Sequence, residues 1–215
     1  MSAPLKLYAA AAPNGFKITT FLELLGLKYD LQILDISKGE QKEPWFLKLN
    51  PNGRIPTLID STHGVTVSQS GAVLQYLADT YDPNHKLSFK YGSKEYYKQL
   101  EYLIFSVAEQ GPITGQLYHF KHLAPCKDEY AIDRYFKDVN RIVGVFDEIL
   151  NRNKHNGLYL VGDHLSAVDA SVYGWSRFLK PNDIELEKYP LFNQWYNSVD
   201  QNEFVQKGVN RLLQK

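Results

Sequence analysis

The chain has 215 residues, 44% of them hydrophobic, with 24 basic and 24 acidic side chains. That length suits one or two domains with a sizeable core, and the balanced charge excludes a net field that would favour nucleic acid or an anionic membrane. One cysteine excludes an internal disulfide and a CxxC pair, no apolar run nears the ~20 residues of a membrane span, and Met1-Ser2-Ala3-Pro4 lacks a signal-peptide layout, so a cytosolic protein is expected.

Leu5, Leu7 and Tyr8 predict a first strand, followed by Ala9–Ala12 and the turn residues Pro13-Asn14-Gly15. Ile18, Phe21, Leu22 and Leu25 then recur at helical spacing, with Gly26 placed as a stop. Tyr29, Leu31 and Ile33 alternate as a strand does. Pro44-Trp45-Phe46 falls in a linking segment. Pro56 stands where a strand opens, a position that tolerates the missing N–H. Leu58-Ile59 and Val65/Val67 flank Ser61-Thr62-His63-Gly64 as a hairpin. Ser70 precedes the stripe Val73, Leu74, Leu77, Tyr81 and reads as a helix N-cap. A parallel crossover followed by a hairpin gives a four-stranded mixed sheet with helices on it, the thioredoxin-like arrangement.

Three places in this stretch hold chemistry as well as structure. Pro13-Asn14-Gly15 is a turn signal, but it ends a strand and begins a helix, where ligands of α/β sheets gather. There the unpaired N–H groups and helix dipole would favour a thiolate, and the Asn14 amide is a neutral donor at any working pH. A thiol of reference pKa about 8.5 could fall to roughly 6–7 in such a place. Ile55-Pro56 is either an edge-strand start or, if cis, a point at which the Ile55 backbone faces outward to pair with an extended peptide. Gln69-Ser70 is either a cap or a carboxylate pocket made with the free N–H groups of its helix.

In this order the residues resemble the glutathione transferases, whose amino-terminal domain carries a cis-proline strand and then a Glu/Gln-Ser pair. APNGFK at 12–17, GEQKEPWF at 39–46, NPNGRIPTL at 50–58 and GQLYHFKHLAP at 115–125 narrow the likeness to the nu-class enzymes and the fungal nitrogen-regulator proteins of this fold. The resemblance puts Asn14 beside the glutathione sulfur, the Ile55 backbone against the cysteinyl unit, Gln69 and Ser70 at the γ-glutamyl end, and Gln41 near the glycine end. Two residues depart from the branch. Gln69 replaces the usual Glu and cannot pair ionically with the γ-glutamyl ammonium. Ala12 stands where relatives often carry a Thr hydroxyl near the sulfur.

The expected organisation is a glutathione-binding domain over 1–82, a linker over 83–93 announced by the pattern break at Asp82-Pro83-Asn84, and an all-helical domain over 94–215. Leu100, Leu103, Ile104 and Val107 form one stripe, and Ile132, Tyr135, Phe136, Val139, Val143, Phe146 and Leu150 another, with Gly111-Pro112 and Ala124-Pro125 punctuating between them. Ser166 and Asp169 form a helix-start cap before Val172, Trp175 and Leu179, and Pro190 fits the first turn of the next helix. His119 and His122 have no Cys/His/carboxylate set beside them, so no metal is expected. Arg134 reads as a solvated side chain, while the resemblance of AIDRY to a nu-class helix implies that it reaches the glycine carboxylate of glutathione.

The resemblance implies a transferase that uses glutathione as co-substrate and no other cofactor. Its thiolate would be delivered to a small electrophile, peroxide or disulfide, in a homodimer without nucleic-acid or membrane partners. A second implication is a glutathione-binding regulatory protein with little turnover.

Overall fold

The computed structural model describes residues 3–214; Met1 and Ser2, part of the segment read for a leader pattern, lie outside the described residues, as does Lys215. Strand β1 (Leu5–Ala9) leads into helix α1 (Pro13–Leu24), and β2 (Tyr29–Ile33) returns parallel to β1. After the short helix α2 (Pro44–Leu49), β3 (Thr57–Asp60) and β4 (Val65–Ser68) form the hairpin, and α3 (Ser70–Tyr81) closes the thioredoxin-like part. The sheet order is β2-β1-β3-β4, with β3 antiparallel to β1 in the register Leu7 opposite Leu58. Gly64, at φ 65°, makes the hairpin turn. The linking segment around Pro44 is a helix, α2, whose buried Phe46 packs with Tyr8 and Leu34 in a small core of its own. Six residues are too few for a helical period to show in sequence.

Helix α1 is the central element. All residues from Gly15 to Glu23 are buried, because the helix has neighbours on every side. It meets α7 (Ala167–Ser176) and α9 (Glu203–Leu213) at glycines: a Cβ at Gly208 would lie 2.5 Å from Thr20 Cα, and one at Gly174 would lie 2.7 Å from the Pro13 carbonyl oxygen. Backbone-to-backbone approach of this kind leaves no room for a side chain. Two hubs fasten the outer parts. Buried Asp60 accepts hydrogen bonds from Tyr76 (2.6 Å), Tyr81, the Thr62 N–H (2.9 Å) and the His63 ring (2.9 Å). Asp82 accepts from Lys86, Leu87 and Ser88 and pins the connection that follows α3.

From Lys94 the chain is helical. Helix α4 (Lys94–Phe105) continues through a π turn at Ser106–Gln110 into α5 (Gly111–Tyr118), then through a second π turn at His119–Leu123. Gly111-Pro112 therefore does not interrupt the helix. Pro112 has no N–H to give and its ring would strike the carbonyl four residues back in an α ladder; the wider π turn accommodates both. That turn is held by buried polar contacts: Ser106 Oγ donates to Gln110 Oε1 (2.9 Å) and meets Ser171 Oγ (2.9 Å), and Gln110 Nε2 donates to the Val172 carbonyl (3.0 Å). Ile104, expected inward, is exposed. The long α6 (Glu129–Asn153) buries Val139, Val143, Phe146 and Leu150 as its stripe implies. Helix α8 (Pro190–Asp200) buries Phe192, Trp195 and Val199. No helix among the described residues is long and apolar enough to cross a membrane.

Candidate functional site

Between the sheet part and the helical part lies a cleft of about 180 Å³. Asn14, Lys17, Arg54, Ile55, Gln69 and Ser70 line one side, and Val107, Gly111 and Trp175 line the other. Four of the six residues singled out in the sequence, Asn14, Ile55, Gln69 and Ser70, thus come together.

Asn14 is carried by the first turn of α1, and its position depends on Gly15. A Cβ there would stand 2.1 Å from the Ala10 carbonyl oxygen, so only glycine lets the helix begin this close to the strand end. Ala12 is the N-cap, with no side-chain cap, and Pro13 occupies the first helical position. The Asn14 side-chain oxygen accepts from the Trp175 indole N–H at 3.1 Å and is 3.5 Å from the Ser70 hydroxyl. An indole nitrogen only donates, so the atom facing it is the amide oxygen, and the NH₂ group is left for the cleft. Trp175 is itself fixed by a slot in α5: a Cβ at Gly111 would lie 2.8 Å from its Nε1, and one at Gly115 would lie 3.1 Å from its ring. The π turn before Gly111 presents that slot, and its Val107 lines the cleft beside Gly71.

The Ile55–Pro56 bond is cis. Strand pairing begins only at Thr57, so the Ile55 backbone stands free at the cleft wall. Asn50 supports the preceding turn by donating to the Arg54 carbonyl (2.7 Å) and to Thr57 Oγ1 (3.2 Å).

Ser70 is the first residue of α3 and not its cap. The N-cap position is Gln69, at φ 73° and ψ 119°, and no side chain caps the helix. A non-glycine residue in that region costs about 1–3 kcal/mol and is characteristic of functional sites. The turn leaves the N–H groups of the first helical turn uncapped beside the Ser70 hydroxyl, a ready anion site. Lys17 reaches the same place, with Nζ 3.5 Å from Ser70 Oγ. Among the described residues, no carboxylate lines the cleft.

Gln41 and Arg134 are not brought to the cleft in this chain. The Gln41 amide nitrogen donates to the Ile36 carbonyl (3.3 Å), while its oxygen is buried without a partner among the described residues. Arg134 is exposed on α6, where Tyr130 and nearby Asp138 raise its pKa above the usual guanidinium value. His122 contacts the Pro181 carbonyl (3.1 Å) and lies tilted against the Tyr118 ring, outside the cleft. Trp175, which the sequence marks only as an apolar residue after a helix cap, and Lys17 are cleft residues not singled out from the sequence. Trp175 lies 161 residues from Asn14 and carries no local signal; a basic residue among the inward positions of α1 was the available sign of Lys17.

The fold and cleft are those of the glutathione S-transferase family, and comparison with known proteins agrees: residues 3–79 match the glutathione S-transferase N-terminal domain and residues 119–207 the C-terminal domain. The chain belongs to the glutathione S-transferase family. Within it the chain falls in the branch of the fungal Ure2-like and bacterial oxidoreductase-like members. A glutathione transferase homolog from Lodderomyces elongisporus, solved with two GSH per subunit, is 52% identical and superposes with a TM-score of 0.94 over 97% of this chain and 98% of that one. The disulfide-bond oxidoreductase YfcG of Escherichia coli is 34% identical over 90% of this chain and 88% of its own length. The nitrogen regulation fragment of the yeast prion protein URE2P is 27% identical, with a TM-score of 0.90 over 97% of this chain and 96% of that one.

Proposed function

We propose that this protein is a glutathione transferase that holds glutathione in the cleft as a thiolate and delivers it to an electrophile, peroxide or disulfide. Ser70 and the α3 N-terminus take the γ-glutamyl carboxylate, Gln69 lies beside the γ-glutamyl amine, and the Ile55 backbone pairs with the cysteinyl unit. Asn14 is the catalytic residue, its NH₂ donating to the sulfur. The observation that carries this reading is the Trp175–Asn14 hydrogen bond at 3.1 Å, which commits the Asn14 oxygen and leaves a donor for an anion. Placement and electrostatics then suffice for activation, without a covalent enzyme intermediate. On attack at a disulfide, the new S–S bond forms as the distal sulfur departs as a thiolate. The relatives named as disulfide-bond oxidoreductases favour that outcome.

We assign the glycine end to Gln41 and Arg134. Arg134 lies outside its own chain's cleft, so its contact would come across a homodimer interface. Tyr97 and Ile104, one heptad apart on α4 and each 54% exposed, supply an apolar face for such a dimer. A sedimenting species of one chain at micromolar concentration would remove this part of the reading.

The direct test is the ultraviolet thiolate absorbance of bound glutathione, titrated in the wild type and in Asn14→Ala. Loss of a hydrogen bond to a charged acceptor costs roughly 1.5–3 kcal/mol, about one to two pKa units. Turnover near neutral pH should fall on the order of ten-fold and recover partly as pH rises. An unchanged titration makes Asn14 a turn residue. The alternative, a glutathione-binding regulator with little turnover, draws on Gln69 in place of an acid, on Ala12 in place of a hydroxyl, and on the likeness to URE2P.

A further inference from the structure

Lys17 is the one lysine of α1, and its side chain is 0% exposed. Buried lysines ordinarily meet a carboxylate, because an unpaired ammonium away from water is costly. Here the nearest polar partner is the Ser70 hydroxyl at 3.5 Å, at the outer limit of a hydrogen bond. The aliphatic stem is clamped by α7, where a Cβ at Gly174 would come within 2.6 Å of Lys17 Cγ, so the amine is held toward the cleft.

The charges on surrounding elements are engaged elsewhere. On α7, Asp169 is occupied by Ser166, Leu160 and Trp195, and Arg177 by Tyr173, Asp200 and the Phe16 ring. On α9, Lys207 and Arg211 face Glu23 at the far end of α1. Asp79 of α3 pairs with Gln75, and Glu109 of the π turn with Arg141. Arg54 is the other ionisable side chain on the cleft wall. Burial alone pushes the Lys17 ammonium down to about 7.

We propose that Lys17 is the counter-charge of the carboxylate bound at Ser70 and that it takes up a proton as that carboxylate enters. The step is an acid–base one: the neutral amine of the free protein gains one proton from solvent and becomes an ammonium beside the anion. An opposite charge within hydrogen-bonding range stabilises the ammonium that burial disfavours. The site thereby selects an anionic end group and couples its affinity to pH. The inference rests on the glutathione reading above, because it is the γ-glutamyl carboxylate that Ser70 would hold.

Isothermal calorimetry of S-methylglutathione binding, between pH 7 and 8.5 in two buffers of different ionisation enthalpy, measures the proton directly. The methylated sulfur removes thiol ionisation from the balance. Uptake should rise from about half a proton at pH 7 toward one at pH 8.5, and affinity should fall by up to about ten-fold per pH unit over the upper part of that range. In Lys17→Met the uptake should vanish and affinity at pH 7 should fall at least ten-fold. Binding without proton uptake in the wild type overturns the role of Lys17 and leaves the glutathione reading standing. No binding at all overturns both. The free protein offers a second measurement. Below the unfolded-state value of about 10.4 the unfolded chain binds this proton and the folded chain releases it above about 7, so stability should rise with pH across that interval. Lys17→Met should remove this slope; an identical slope in both proteins counts against the proposal.

Discussion

Helices α3 and α7 both begin at a serine, and they are built in opposite ways. At α7, Ser166 is a true cap: its hydroxyl accepts the Val168 N–H (3.3 Å) and donates to Asp169 (2.9 Å), whose carboxylate also accepts the Ser166 N–H (2.9 Å) and the Trp195 indole (2.8 Å). The Ser166 and Val168 N–H groups and the Trp195 indole at that end all have partners inside the protein. At α3, Ser70 lies one position further in, the chain enters through a strained Gln69, and no side chain caps the helix. The closed start nucleates packing. The open start keeps its hydrogen-bonding capacity for a ligand, at a cost to the fold.

The contrast is broken most severely at the closed end. Asp169→Ala would leave the buried Trp195, Leu160 and Ser166 N–H groups without an acceptor, each worth about 1–3 kcal/mol. A loss of about 3 kcal/mol or more is expected, roughly 6–12 °C in melting temperature for a chain of this size. Thermal unfolding measures it, and ligand affinity of the folded fraction should change little. Ser70→Ala should do the reverse: glutathione affinity falls by on the order of ten-fold or more, while the melting temperature moves by no more than a few degrees. Trp175→Phe keeps the ring in its Gly111/Gly115 slot but frees the Asn14 amide to turn, so the bound-thiol pKa should rise by under one unit, less than in Asn14→Ala. Equal shifts in both variants would mean that the indole N–H alone sets the amide. Gln69→Gly should relieve the positive φ and stabilise the fold by about 1 kcal/mol while weakening binding, which denaturant unfolding and calorimetry on one preparation would separate.

A pH experiment sharpens the same comparison. Burial works to raise the Asp60 carboxyl, but the hydroxyls of Tyr76 and Tyr81 and the His63 ring outweigh it and hold the group well below the usual carboxylate range. Its contribution to stability is therefore present above the unfolded value of about 4 and is lost as pH falls through that region and below. In Asp60→Asn the acid limb of the stability profile should flatten, with no change in the pH dependence of ligand binding that Lys17 imposes.

What the sequence made legible follows from how local the cause is. Strand alternation, the Ser61–Gly64 hairpin and the Ser166–Asp169 cap each rest on residues within a few positions of one another, and each appears in the structure. The same holds for Asn14, Ile55, Gln69 and Ser70, whose places at element ends follow from their neighbours. Ser70 was displaced by one position, from cap to first helical residue, because the backbone conformation of Gln69 has no sequence signature of its own. Trp175 stands in the sequence only as an apolar residue after the Ser166 cap, and its role depends on α5 and the sheet part meeting. Ile104 fits the apolar period of α4 yet is exposed, since periodicity reports a face and not what covers it.

The π turn at Ser106–Gln110 makes residue count, as distinct from residue type, a determinant of the cleft. An α-helix advances about 100° and 1.5 Å per residue. A protein of this fold lacking one residue between Phe105 and Gly111 would have its following helix rotated by that angle, with Gly111 and Gly115 carried out from under the Trp175 ring. Every lining side chain could be retained and the acceptor wall would still be a different surface. A single-residue length change at this turn would thus remake the acceptor wall and, through Trp175, reach the Asn14 amide as well.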